Sequence, residues 1–194
     1  MKEKLLKYEN GKLKQQLIFS IPANMEICNR ACPGCYAMKF QRLYPSVLPY
    51  RERRYQASMQ DDFVAAIISE IQACKKPLTA VRIHESGEWY SQEYIDKWEA
   101  IATALPHVTF YAFSKRLADF DFSTISKLNN VIIINSMKHG LLNYGKLPFL
   151  NTHPTTNICP ATQKATKDIT ICGVTCTLCM TKSAQSDGVL FVQH

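Results

Sequence analysis

The sequence lacks any long apolar run: no window approaches the roughly 18 consecutive apolar residues that a membrane-spanning helix requires. Its N-terminal stretch carries lysines but no apolar segment of the kind that defines a secretory signal peptide. It also contains no internal repeat and no low-complexity stretch, which excludes solenoid, collagen-like and largely disordered proteins. We therefore expect a soluble, cytoplasmic protein that has no membrane partner.

The size and composition fit one globular domain. The 194 residues include 46% hydrophobic and 20% charged side chains, close to the average for globular proteins. This length suffices for one hydrophobic core and falls short of two ordinary domains. We predict a single domain over residues 1–194, with a β/α core at 15–139 and a cysteine-rich C-terminal segment at 140–194 packed on that core.

The positive charge is confined to the first third of the chain. Residues 1–60 contain 11 Lys and Arg against 4 Asp and Glu, whereas the remaining residues contain 12 of each. Basic and aromatic side chains alternate here: Arg51, Arg53 and Arg54 lie near Lys39, Arg42, Tyr44, Tyr50 and Tyr55 in the sequence. Such a mixture can bind a phosphate backbone and stack on bases. This region therefore either binds nucleic acid or forms an ordinary solvated basic surface.

Short apolar runs alternate with segments of helical periodicity. Five runs are predicted strands: 16–22, 80–84, 108–113, 131–135 and 188–193. Three segments are predicted helices: 60–74, 91–105 and 121–128. This alternation favours parallel strands joined by right-handed crossovers. We predict an α/β protein, either a partial (β/α) barrel or an open sheet, whose chemistry lies at the C-terminal ends of the strands.

The cysteines indicate metal binding. Eight residues, about 4% of the chain, are too few for a small disulfide scaffold, and cytosolic proteins rarely keep structural disulfides. Cys28, Cys32 and Cys35 have the spacing C-x3-C-x2-C directly after the first predicted strand. Three thiolates on one loop can bind three irons of a [4Fe–4S] cluster and leave the remaining iron without a cysteine ligand.

A second cysteine cluster lies near the C-terminus. It consists of four residues: Cys159, Cys172, Cys176 and Cys179. Four thiolates complete either a second [4Fe–4S] cluster or a structural zinc site, so zinc is the alternative metal. A further alternative is that cysteines of the N-terminal loop and of the C-terminal set bind one shared metal cluster. The eighth cysteine, Cys74, falls near the end of a predicted helix and is interpreted as a core residue.

Polar residues follow three of the predicted strands. Residues 84–88 (His-Glu-Ser-Gly-Glu) come directly after the second strand, and Lys115 and Ser136 follow the third and fourth. Because the ends of parallel strands meet at one edge, we expect these residues to lie on the face of the cysteine loop. His84 is either a fourth cluster ligand or a hydrogen-bonded turn residue. The nearby Trp89, Tyr90, Tyr94 and Trp98 are predicted core residues.

Residues 28–37 resemble the cluster-binding loop of the radical S-adenosylmethionine (SAM) superfamily. Residues 81–88 look like the second strand of that superfamily and its Gly-Gly-Glu-Pro turn. The resemblance implies a partial barrel with a site-differentiated [4Fe–4S] cluster on the first cysteine loop. It also implies that the turn meets SAM, with further polar contacts from strand ends, and that a partner donates the electron that cleaves SAM. The residues in those cofactor-binding positions are Ser86, Gly87, Glu88, Lys115 and Ser136.

The overall layout is similar to that of the phage and prophage gene product 88 family, over about residues 17–194. The motifs that carry this resemblance are at 21–22, 32–37, 82–88, 93–98 and 172–179. We predict an iron–sulfur protein that acts as a radical SAM-like enzyme of unknown substrate and catalytic residues. The alternatives are a non-enzymatic iron–sulfur protein that senses redox state or binds nucleic acid, and a structural zinc protein.

Overall fold

The computed structural model describes residues 4–29, 35–135 and 180. These residues form a five-stranded mixed sheet in the order β1-β2-β3-β4-β5. The strands are β1 Lys7–Tyr8, β2 Gln16–Phe19, β3 Ala80–Ile83, β4 Phe110–Ser114 and β5 Val131–Asn135. The α-helices are α1 Met25–Cys28, α2 Tyr36–Leu43, α3 Val47–Met59, α4 Phe63–Gln72 and α5 Gln92–Ala104, and a 3₁₀ turn covers Ile125–Lys127.

Four of the five strands run parallel, in the order in which the chain forms them. β2 pairs with β3, β3 with β4 and β4 with β5 in parallel register, while β1 pairs antiparallel with the outer edge of β2. The predicted α/β class and parallel pairing are therefore confirmed. No α-helix within the described ranges has both the length and the apolar character needed to cross a membrane.

The strand predictions hold for the four apolar runs that lie within the described residues. The predicted strand at 16–22 ends earlier, at Phe19. Beyond it the Ile21 amide N–H donates to the Ser86 carbonyl in the turn after β3 (3.1 Å). The sheet also contains β1, which the sequence pattern does not predict, because its two residues are too few to produce a periodic pattern. The predicted strand at 188–193 lies outside the described residues, as does almost all of the predicted segment 140–194.

The helix predictions are correct for α4 and α5 and wrong in two other places. The predicted helix at 121–128 is only a 3₁₀ turn at Ile125–Lys127. Residues 36–59, for which the pattern predicts no helix, form α2 and α3. The reason is that α3 buries Arg51, Arg54 and Ser58 instead of apolar side chains, so its inward face has no apolar periodicity.

The core lies between the sheet and the helices α4 and α5. Phe19 of β2 packs edge-on against Phe63 of α4 and Trp98 of α5, with ring centroids 5.5 and 5.4 Å apart. Trp89, Tyr94 and Trp98 are almost fully buried, which confirms their prediction as core residues. Such T-shaped pairs add about 0.5–1.5 kcal/mol each beyond the burial of their apolar area. Trp98 also packs against Phe110 of β4, with ring centroids 6.3 Å apart, so α5 is held against the helix side of the sheet.

The loop between α5 and β4 is held by one amide. Asn130 Nδ2 donates to the carbonyl oxygens of Ala102, Leu105 and Val108 at 2.9, 3.0 and 3.1 Å. Ala102 lies in the last turn of α5, and its carbonyl also accepts from the Leu105 amide N–H at 3.3 Å. The Asn130 side chain therefore adds donors to carbonyl groups at the end of α5 and in the following loop, just before β5 begins.

We predict that Asn130→Asp destabilises the fold more than Asn130→Ala does. Alanine removes the donors, which costs about 1–3 kcal/mol, whereas aspartate also brings a carboxylate toward three carbonyl oxygens. Urea denaturation of both variants measures the difference, and Asn129→Asp, at an exposed neighbouring position, is the control. Equal loss of stability in Asn130→Asp and Asn129→Asp would contradict this role.

Candidate functional site

The chain segments that follow β2, β3 and β4 meet at one edge of the sheet. We call this the exit edge, formed by residues 20–29, 84–89 and 115–116. Its segments are joined by hydrogen bonds, since the Lys115 amide N–H donates to Glu88 Oε2 at 2.6 Å and Arg116 Nη1 donates to the Ile27 carbonyl at 2.9 Å. The ends of β2, β3 and β4 therefore lie at one edge, together with Cys28 at the start of the cysteine loop.

The cysteine loop begins and ends at short helices. Cys28 is the last residue of α1, whose first turn is capped by the Asn24 side chain accepting from the Ile27 amide N–H at 2.8 Å. Asn29 ends that helix in the left-handed conformation. Cys35 occupies the N-cap position of α2, and both thiols are half-buried. The middle cysteine of the loop, Cys32, lies outside the described residues.

Four residues link the chain segment before this loop to the helices after it, and we call them the loop clasp: Ala23, Ala37, Gln41 and Arg51. The Gln41 amide pairs with both main-chain groups of Ala23, accepting from its N–H at 2.8 Å and donating to its carbonyl at 3.2 Å. Arg51 Nη1 donates to Gln41 Oε1 and to the Ala37 carbonyl, each at 3.0 Å. The clasp thus fixes the positions at which the chain enters and leaves the cysteine loop.

A tyrosine ties the cysteine loop to the turn after β3. The Tyr36 hydroxyl donates a hydrogen bond to the Glu85 main-chain carbonyl. The Glu85 carboxylate is itself held, because Asn10 Nδ2 donates to its Oε1 at 2.8 Å. The residue directly after Cys35 therefore positions α2 against the polar turn.

The Glu88 carboxylate is buried among donors of the protein itself. Its two oxygens accept from the amide N–H groups of Trp89 (3.2 Å) and Lys115 (2.6 Å). Burial raises the pKa of Glu88, while those hydrogen bonds, a further one from Ser114 and the nearby Arg116 charge oppose the rise. The carboxylate joins the exits of β3 and β4, and the Lys115 contribution to this contact is its main-chain N–H.

Arg116 joins all three segments of the exit edge. Its Nη1 donates to the carbonyls of Ile27 (2.9 Å) and Trp89 (3.0 Å), and its Nε donates to Asp119 Oδ2 at 2.7 Å. The guanidinium carbon lies 4.7 Å from the centre of the Phe120 ring. Because Ile27 immediately precedes Cys28, this buried side chain holds the start of the cysteine loop.

Gly87 allows the turn after β3 to pack directly on the segment after β2. Its φ of +86° lies in the left-handed region, and a Cβ there would come within 2.3 Å of Ile21 Cγ1 and 2.9 Å of the Ile21 carbonyl. The adjacent Ser86 and the facing Ser20 each bury a hydroxyl that has no hydrogen-bond partner in the described part of the chain.

His84 points into the core on the helix side of the sheet. Its φ of +61° is left-handed and breaks the alternation of side chains between the two faces of the sheet. The ring therefore packs against Trp89 and Tyr94, with centroids 4.8 and 5.6 Å away. Its Nε2 lies 2.9 Å from the Tyr94 hydroxyl. Burial, with a smaller effect of the Arg82 charge, lowers the pKa of His84 to about 3. This core position favours the turn-residue interpretation over a fourth cluster ligand.

Two of the arginines predicted for a nucleic-acid surface are structural instead. Arg51 belongs to the loop clasp, and Arg54 donates to the carbonyls of Lys4, Leu5 (2.8 Å) and Tyr50 (2.9 Å). Both guanidinium groups are buried, so only Arg53 of the three is exposed. A polar stripe at helical spacing, 51, 54 and 58, is the sequence pattern that indicates this buried face.

The remaining predicted site residues lie outside the described part of the chain: Cys32, Ser136, Cys159, Cys172, Cys176 and Cys179. Within the described ranges, no group of three or more His, Cys, Asp or Glu side chains is arranged to bind a metal ion. Gln41 and Tyr36 belong to the site and were not predicted. Their partners are main-chain carbonyls and amides far away along the chain, which no local spacing reveals.

Comparison with known proteins gives one match. The family model for gene product 88 matches residues 2–170, most of the chain. No curated protein and no solved structure matches.

We predict that Gly87→Ala destabilises the protein by about 2–4 kcal/mol, because it combines a strained left-handed backbone with overpacking against Ile21. Gly11→Ala is the matched control, since a Cβ there meets no atom within 4 Å. Urea denaturation should leave the control within about 1 kcal/mol of the parent. A Gly87→Ala protein as stable as the Gly11→Ala protein would show that the two exits do not pack this closely.

We also predict that stability falls with acidification because His84 must stay neutral in the fold. Its folded pKa of about 3 lies below the ordinary value of 6.5, so the unfolded chain binds a proton below pH 6.5 that the fold does not. The resulting loss is about 2 kcal/mol between pH 7.5 and pH 5. Asn tolerates left-handed backbone, so His84→Asn isolates this titration.

Urea denaturation at the two pH values provides the measurement. His84→Asn should lose about 2 kcal/mol less than the parent between pH 7.5 and pH 5. The exposed His107→Asn variant is the control and should lose as much as the parent. Equal losses in the parent and in His84→Asn would refute the neutral, buried His84.

Proposed function

We propose, given that the chain belongs to the gene product 88 family, that it binds an iron–sulfur cluster on the cysteine loop that follows β2. The observation that carries the proposal is the way this loop is held. The loop clasp fixes both ends of it, and Arg116 holds the carbonyl of Ile27, next to Cys28. A metal centre requires ligands that are held in place by such supporting hydrogen bonds.

The chemistry of the donor set fits a cluster. Cys28 and Cys35 are half-buried thiols at the two ends of the loop, and Cys32 falls between them in the sequence. Cys35 precedes the first turn of α2, whose main-chain N–H groups favour negative charge such as that of a thiolate-bound cluster. Cys28, Cys32 and Cys35 would hold this cluster. Cys159, Cys172, Cys176 and Cys179 would hold a second cluster or a zinc ion.

The finer proposal is a radical SAM-like enzyme on a partial barrel. It is supported by the sequential parallel strands, the position of the cysteine loop after the first of them, and the adjoining turn at residues 84–89. A bound [4Fe–4S] cluster with an open iron supplies one-electron chemistry, given an electron donor. The chain's own residues position the loop and the turn, and Ser20 and Ser86 offer hydroxyls to a ligand.

A second candidate function is nucleic-acid binding by the same iron–sulfur protein. One side of α2 and its C-cap presents exposed aromatic rings, those of Tyr36, Phe40 and Tyr44, and the helix also exposes Lys39 and Arg42. Exposed rings beside cations suit the stacked bases and phosphates of a single strand. Lys39, Arg42 and Tyr44 of the predicted basic and aromatic region belong to this surface, whereas the buried Arg51 and Arg54 do not. Binding that weakens steeply with salt would support it.

We predict that Cys28→Ala and Cys35→Ala each remove a cluster, whereas Cys74→Ala does not. Cys74 lies after α4 and is equally half-buried, which makes it the matched control. The measurements are the visible spectrum and the iron, sulfide and zinc content after anaerobic purification. About four irons per chain should be lost from the first two variants.

The metal content distinguishes two iron–sulfur clusters, one cluster and a zinc site. A parent with about eight irons that drops to about four in Cys35→Ala supports two clusters. A parent with about four that drops to none supports a single cluster on the first loop. An iron-free, colourless parent that contains zinc would refute the iron–sulfur proposal and leave the zinc alternative.

A further inference from the structure

The sheet has an apolar face opposite to α4 and α5. Along β4, Phe110 and Ala112 enter the core that these two helices share with the sheet. Because side chains alternate along a strand, the residue between them points to the other side. There it belongs to a separate apolar cluster, which we call the second face: Ala80, Tyr111, Ile132 and Ile134.

The second face is as well buried as the core on the helix side. Ala80 is 0% exposed, and Tyr111, Ile132 and Ile134 are each 2% exposed. The Tyr111 hydroxyl donates to Gln16 Oε1 at 2.6 Å, so its polar end is satisfied within the sheet. Parallel strands are ordinarily covered on both faces. Burial this complete requires a layer of chain on the second face, on the side away from α4 and α5.

Met180 is part of that layer. Two partly buried apolar side chains pack against the second face, and they are Phe113 and Met180. Phe113 belongs to β4 and lies beside Ile134 in the β4–β5 register, so it extends the face and does not cover it. Met180 comes from a different part of the chain, well beyond β5. Its flexible thioether side chain suits contact with an irregular apolar surface.

The chain around Met180 has the length and composition that this position requires. Residues 136–179 connect β5 to Met180, and an extended chain spans roughly 3.3 Å per residue, so the connection can reach any part of the second face. Residues 172–194 include the apolar run at 188–193 and only two charged side chains, Lys182 and Asp187. A segment with so few charges can be buried against apolar side chains at little cost.

We propose that residues 172–194 of this chain dock on the second face and that Met180 anchors them there. Cys179 directly precedes Met180, and consecutive Cα atoms are about 3.8 Å apart, so the C-terminal cysteine set begins at this face. A metal ion or cluster bound by that set would then hold the segment on the sheet. The inference goes beyond the iron–sulfur proposal, because the docking surface is the same whichever metal the cysteines bind.

Photo-crosslinking of the full chain tests the contact directly. The photoreactive amino acid p-benzoylphenylalanine replaces Met180, and after irradiation mass spectrometry locates the residues to which it is joined. We expect crosslinks within one chain to β4 or β5, at residues 110–114 or 131–135. The same amino acid in place of Met59, an exposed residue at the end of α3, is the control and should give no crosslink to these two strands.

The other crosslinking outcomes would each overturn the proposal. A crosslink that joins two chains through the second face would assign this surface to a second copy of the protein. Crosslinks from position 180 to the helices α4 and α5 alone, or none to any part of the sheet, would show that Met180 does not pack on the second face. Iron, sulfide and zinc are measured on the same samples, so failure of the iron–sulfur proposal is recognised separately.

Substitution of Met180 tests whether the contact stabilises the fold. Met180→Asp places a carboxylate against apolar side chains, so the urea midpoint should fall by about 1 M. Met180→Leu keeps an apolar side chain of similar volume and should stay close to the parent. Met59→Asp is the control at an exposed methionine. Equal midpoints for Met180→Asp and Met59→Asp would overturn the anchoring role of Met180.

Discussion

The buried guanidinium of Arg116 is the interaction on which the exit edge depends. Through the carbonyls of Ile27 and Trp89 it joins the segments that follow β2 and β3 to its own segment after β4. Glu88, also buried, joins the segments after β3 and β4, because its carboxylate accepts from the amide N–H groups of Trp89 and Lys115. The Arg116 guanidinium also donates to the Asp119 carboxylate at 2.7 Å, and a buried charge that loses such partners is strongly destabilising. The three strand ends are therefore held together as one unit.

The position of the cysteine loop follows from this unit. Arg116 holds the carbonyl before Cys28, the loop clasp holds the chain on both sides, and Tyr36 fixes α2 to the turn after β3. A glycine at position 87 lets that turn pack against Ile21. The polar residues of the turn thus support the loop and do not all face a ligand.

Much of this architecture could be predicted from the sequence, because it rests on local patterns. The apolar runs predicted β2 to β5, and the helical periodicity of 60–74 and 91–105 predicted α4 and α5. The shared edge followed from parallel pairing. The helix α3 could not be predicted from apolar periodicity since it buries arginines, and the inward turn of His84 depends on one left-handed residue. Arg116 and Ile27 are 89 residues apart, so only the folded chain joins them.

Low-temperature electron paramagnetic resonance of the anaerobically purified, dithionite-reduced protein tests most directly whether the cysteine loop holds an iron–sulfur cluster with an open iron. We expect the signal of a one-electron-reduced [4Fe–4S] cluster, and a change in that signal when a ligand binds the iron that has no cysteine ligand. A reduced protein that gives no such signal while it carries stoichiometric zinc would contradict the account.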